Sequence, residues 1–110
     1  MAKNQATSVV AHNAITGTAT STAIDCRGYN AVYVEIAITV AAVNWTVSLL
    51  GSSSAGGTYS ALYVDATAVS KQTATTYAGM WRGVPDWVKV LATEDVDTGK
   101  CTVTITPCNV

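Results

Sequence analysis

Apolar and polar positions alternate along this chain with a period of two, the signature of half-buried strands. Val32, Val34, Ile36, Ile38 and Val40 fall on one face; Ala31, Tyr33, Glu35, Ala37 and Thr39 fall on the other. Asn30 opens the apolar parity, so this strand is expected to enter the core one step later. Trp45, Val47 and Leu49 alternate with Asn44, Thr46 and Ser48, and Leu62 and Val64 with Tyr63 and Asp65. Val88 and Val90 flank Lys89, although Trp87 and Leu91 make the second face of that strand apolar too. The cleanest run comes last, with Cys101, Val103 and Ile105 between Thr102, Thr104 and Thr106. Threonine is β-branched and suits a pleated, partly solvated surface. No stripe of helical period competes over ten residues or more. The Ala-rich segment 66–74 has the length of a helical turn, but its Thr and Val content opposes one.

The punctuation agrees with strands. Asp25-Cys26-Arg27-Gly28 predicts a turn, and the Gly/Ser-rich run 51–58 a connection in which glycine supplies positive φ. Pro85 within Arg82–Asp86 cannot donate to a ladder and breaks pairing. Residues 95–100 predict a hairpin turn. Strands at roughly 8–12-residue spacing indicate an all-β protein, an antiparallel β sandwich of about seven or eight strands. The expected sandwich domain runs over residues 23–110. Residues 1–22 hold little core-forming content beyond Val9-Val10-Ala11-His12, and are expected to form an extended N-terminal arm that orders on assembly.

Composition narrows the function. The 110 residues suit one domain, with 49% hydrophobic and 12% charged residues and a net charge of −1. The six cations, Lys3, Arg27, Lys71, Arg82, Lys89 and Lys100, are scattered. Nucleic-acid binding by counterion release needs clustered cations, so no nucleic-acid partner is expected. A surface of Thr, Ser, Ala and Asn repels weakly and tends to associate. No apolar run approaches the ~18 residues of a membrane helix, and no membrane partner is expected. The first residues lack the apolar core of a secretory signal, giving the expectation of synthesis in a reducing cytoplasm. Cys26, Cys101 and Cys108 cannot all pair within one chain, and are expected to be buried thiols; one internal bridge with a leftover thiol stays open.

Candidate chemistry is sparse. His12 is the sole histidine, and no cofactor or metal is expected, since there is no C-x-x-C pair. Glu94, Asp95 and Asp97 are too few to supply the six to eight oxygens that calcium takes. Nothing in the spacing of Asp25, Glu35, Asp65, Asp86 and Glu94 selects an acid pair. The glycine-rich run lacks the lysine of a phosphate loop, and Asn44-Trp45-Thr46 lies within a strand, which reads as a chance sequon. An enzyme is therefore not expected. The aromatic residues are the better candidates. Trp45 has the inward parity of its strand. Tyr33 and Tyr63 have the outward parity and are interface candidates. Trp81 and Trp87 flank the Arg82–Asp86 break and divide between core and interface.

Three segments carry a family resemblance. Residues Ser21 to Tyr29, with Ile24-Asp25-Cys26-Arg27-Gly28-Tyr29, resemble the aliphatic–Asp–x–x–Gly–Tyr opening of small phage virion proteins. Val47 to Tyr59 is similar to their strand–Gly-Ser–Gly-Gly-Thr–aromatic hairpin, and Trp87–Val90 with Thr98-Gly99 and Thr102–Thr106 fits their close. Cys26 departs from the opening pattern. These motifs are shared with jelly-roll carbohydrate-binding and discoidin-like domains. The resemblance implies a jelly-roll-like sandwich and a tailed-phage capsid decoration (cement) protein. Such a protein sits on the virion capsid surface and is bound to the major capsid protein and to copies of itself, a trimer being the expected order. No catalytic residue carries over. The arm would contribute Val9, Val10 and His12 to the interface. The alternative is a carbohydrate-binding module or a glycan-binding virion domain built on exposed aromatics.

Overall fold

The strands form two antiparallel sheets that pack face to face. The computed structural model describes residues 5–40, 45–62, 69–71, 76–94 and 100–110, with side chains undescribed at 39, 40, 69–71 and 94. Ten strands are found among them: β1 (Val9–Ile15), β2 (Ala19–Thr20), β3 (Ile24–Asp25), β4 (Ala31–Val40), β5 (Trp45–Ser52), β6 (Ser60–Ala61), β7 (Val69–Lys71), β8 (Thr76–Arg82), β9 (Trp87–Glu94) and β10 (Lys100–Cys108). One sheet has the order β1-β10-β4-β8; in the other, β9 and β5 are central. There β2 and β3 lie end to end along β9, and β6 and β7 end to end along β5. Each short pair fills one strand position, so each sheet has four positions. Numbered along the chain, the eight positions run 1-8-3-6 in one sheet and 2-7-4-5 in the other, the order of a jelly roll. The expected sandwich is thus present, and two of its strand positions are assembled from two- and three-residue pieces.

The inward parities form the core. Val32, Val34, Ile36 and Ile38 from β4 meet Cys101, Val103 and Ile105 from β10, and face Trp45, Val47 and Leu49 from β5 and Val88, Val90 and Ala92 from β9. Burying each Val or Leu side chain contributes about 1.5–3 kcal/mol. Trp45 is fully buried as its parity predicts, with an indole N–H that meets no partner among the described residues. Asn30 is exposed, as expected of a strand that enters the core one step later. Its amide clasps the last residues, with Asn30 Nδ2 donating to Val110 O and Val110 N donating to Asn30 Oδ1.

The expected arm is corrected by the structure. β1 pairs with β10, β2 pairs with β9, and Ala6 N donates to Pro107 O. Low apolar content did not prevent this, because the edge positions of both sheets need few core side chains. Ser21 bridges β2 to β3. Its N–H donates to Val90 O, and its hydroxyl accepts from Val90 N at 2.8 Å in place of a backbone carbonyl. The Cys26–Tyr29 turn matches the sequence reading. Tyr29 N donates to Cys26 O, and Gly28 takes φ +87°, which a type II turn requires at that position. The hairpin expected at 95–100 falls mostly outside the described residues.

Candidate interaction faces

Residues directly opposite in an antiparallel pair share a face, so register defines the outer surface of β1-β10-β4-β8. One row runs Val10, Thr104, Glu35, Ala78, and the next runs Thr106, Tyr33, Met80. Val10, Tyr33 and Met80 are exposed at 56%, 39% and 38%. They account for most of the large apolar side chains that the described residues leave in solvent. Ser8 and Thr106 join by their hydroxyls at 2.6 Å, and Cys108 Sγ lies 3.5 Å from Met80 Sδ. Glu35 and Arg82 are the charges on this surface within β4 and β8. The result is a nearly neutral face of threonine, alanine and three apolar side chains.

The outer surface of the second sheet is built differently. Arg27 holds Asp25 through two parallel bonds, Nε to Oδ1 at 2.9 Å and Nη2 to Oδ2 at 2.8 Å. The Arg27 backbone N–H also donates to Asp25 Oδ1. These donors hold the Asp25 carboxyl down at about 2. The guanidinium sits 4.9 Å from the centre of the Trp87 ring, and Lys89 Nζ sits 4.4 Å from that of Tyr59. Each ring therefore has a face covered by a cation of its own chain.

The sequence-based candidates separate on these surfaces. Tyr33 and Val10 stand on the neutral face as outward residues. Val9 is exposed at the edge but opposes Ile105, on the inward parity. His12 is corrected: it is buried, and its Nε2 donates to Val90 O. Trp81 is corrected as an interface candidate, because it opposes Val32 and lies in the core. Trp87 is half-buried beneath Arg27. Tyr63 lies outside the described residues. Met80 was missed: it belongs to β8, whose alternation is interrupted by Gly79 in an inward slot. Tyr59 entered the sequence reading as the aromatic of the hairpin motif, and its contact with Lys89 is set by register.

The three cysteines are free and buried, and burial, then Asp25 and Cys108, push the Cys26 thiol up to about 12. Among the described residues no three His, Cys, Asp or Glu side chains are grouped to hold a metal ion.

No family model matches the chain, and no curated protein matches it. Among solved structures, the crystal structure of the SPBc2 prophage-derived protein YomS is similar. It aligns with a TM-score of 0.64 and 17% identity, over 97% of this chain and 95% of that one. At that identity the shared property is the fold, and the match extends over nearly the whole of both chains.

Proposed function

We propose that this chain is a structural virion protein, a capsid decoration protein that binds the outside of a phage head and strengthens it by subunit contacts. The observation that carries this reading is the nearly neutral outer face of β1-β10-β4-β8 with Val10, Tyr33 and Met80 exposed. A similar fold in a prophage-derived protein supports the phage setting. Binding would come from apolar area buried against the major capsid protein and neighbouring copies, at about 25 cal/mol per Å2 before association costs. The proposal contains no catalytic step. Co-sedimentation with purified capsids tests it, and replacing Tyr33 by Glu should weaken binding without unfolding the chain.

A glycan-binding reading would use Trp87 and Tyr59, which lie on the outer side of the second sheet. Stacking on sugar needs a free ring face. Arg27 and Lys89 already occupy one face of each ring, so the decoration reading is the better supported.

A further inference from the structure

Sheet edges present unpaired backbone groups, and proteins usually blunt them. Three of the four edges here are blunted. β1 is interrupted by register shifts between Val10 and His12 and between His12 and Ile15, and Ala14 adopts φ +48°. The edge beside β9 is broken between β2 and β3, and the register along β5 changes between β6 and β7. β8 differs. It pairs with β4 from Thr76 to Arg82 without a shift, and contains neither proline nor lysine.

The hydrogen-bond phase of β8 follows from one contact. Gly83 N donates to Asn30 O at 2.9 Å, extending the Ala31–Arg82 register by one step. Hydrogen-bonded pairs alternate in an antiparallel ladder. Tyr77, Gly79 and Trp81 therefore bond to β4, while the N–H and C=O groups of Thr76, Ala78, Met80 and Arg82 point away from it. No backbone bond joins these outward groups to another described residue.

We infer that the free edge of β8 pairs antiparallel with β8 of a second copy, on a two-fold axis through Gly79, making one continuous eight-stranded sheet. The sequence Thr76-Tyr77-Ala78-Gly79-Met80-Trp81-Arg82 is self-complementary in this register. Ala78 opposes Met80 of the second copy, so small meets large. Thr76 opposes Arg82, and Tyr77 opposes Trp81, an aromatic cross-strand pair. Gly79 meets itself in a non-hydrogen-bonded pair, where Cα atoms approach to about 4.5 Å. The two Arg82 charges fall about 20 Å apart at ~3.4 Å per residue, beyond a Debye length. The pairing also sets the two Tyr33–Met80 patches side by side, doubling the neutral face. It rests on the assembly reading above, and gives it two-fold rather than three-fold order.

The test uses the purified full chain without capsids. Native mass should show a dimer. Ala78→Pro removes an N–H that faces away from β4, so the monomer keeps its fold; dimer affinity should fall at least about tenfold. Gly79→Cys places a Cβ that meets nothing within 4 Å in the monomer. Mild oxidation should link this variant into a dimer, since ~4.5 Å lies within disulfide range. Ala78→Cys should not link, because its counterparts are offset by two residues. A monomer up to about 1 mM, a trimer indifferent to Ala78→Pro, or equal cross-linking at positions 78 and 79 overturns the inference. A dimer that ignores capsids would instead sink the decoration reading and leave the edge pairing standing.

Discussion

His12 Nε2 donates to the carbonyl oxygen of Val90 at 2.9 Å, joining the edge strand of one sheet to a central strand of the other. The same oxygen accepts from Ser21 N. One acceptor on β9 thus anchors β1 and the β2–β3 junction together. His12→Ala removes the donor and leaves a cavity at a buried site. It should cost about 2–4 kcal/mol, read as a lower urea midpoint at unchanged slope. His12→Gln keeps a donor and should cost less. A loss below about 0.5 kcal/mol for the alanine variant would contradict an anchoring role.

Because β1 and β2 belong to the sheets, deleting residues 2–20 should abolish cooperative unfolding. The deletion uncovers the β10 ladder from Val9–Ile105 to Ile15–Cys101, and the outer side of β9 at Leu91 and Ala92. A truncated chain that retained a sharp thermal transition would show that these strands are dispensable. Circular dichroism during heating is sufficient to decide.

Gly51 lies where a β carbon would come within 2.6 Å of both Leu62 Cδ2 and Pro85 Cγ. Leu62 can rotate away, but the proline ring cannot. Gly51→Ala should therefore destabilise by about 1–3 kcal/mol in chemical denaturation. Adding Pro85→Ala should restore part of the loss; no recovery would place the strain elsewhere.

Two groups tie stability to pH from opposite ends. Asp25 ionises near 3.8 when unfolded and near 2 when folded, through Arg27. Its contribution is therefore complete above about pH 4 and is lost as pH falls through 2. The pair is exposed, so the effect is small and shrinks in salt. Asp25→Asn should flatten that part of the acid limb in urea midpoints taken from pH 5 to 1.5, and an unchanged limb would deny the pair a role.

Cys26 behaves in the reverse sense. Unfolded it ionises near 9.0, whereas the folded thiol keeps its proton to about 12. Its contribution is complete below pH 9 and is lost as pH rises toward 12. At pH 8 a thiol reagent should label none of the three buried cysteines in the native chain and all three in urea. Rapid native labelling of Cys26 would contradict its burial.

The core strands were legible because their inward positions carry Val, Ile, Leu, Trp or Cys without interruption. Val32 to Ile38, Trp45 to Leu49 and Cys101 to Ile105 are buried at the positions their parity assigns. His12 was not legible. A strict period of two puts it on the same face as Val10, but the register slips between them, so Val10 opposes Thr104 while His12 opposes Val103. A bulge reverses parity and leaves no compositional mark. β8 escaped notice because Gly79 occupies its central inward slot, and with it went Met80 and the burial of Trp81. The Arg27–Trp87 and Lys89–Tyr59 pairs depend on register across β3, β5, β6 and β9, which composition does not carry.

The proposed capsid-binding surface is the outer face of β1-β10-β4-β8. The most direct measurement is co-sedimentation of the chain with purified capsids, comparing the unmodified protein with Tyr33→Glu and with Arg27→Ala on the opposite sheet. The predicted result is saturable binding, weakened at least about tenfold by Tyr33→Glu and unchanged by Arg27→Ala. Absence of binding, or binding that survives Tyr33→Glu and fails with Arg27→Ala, would contradict it.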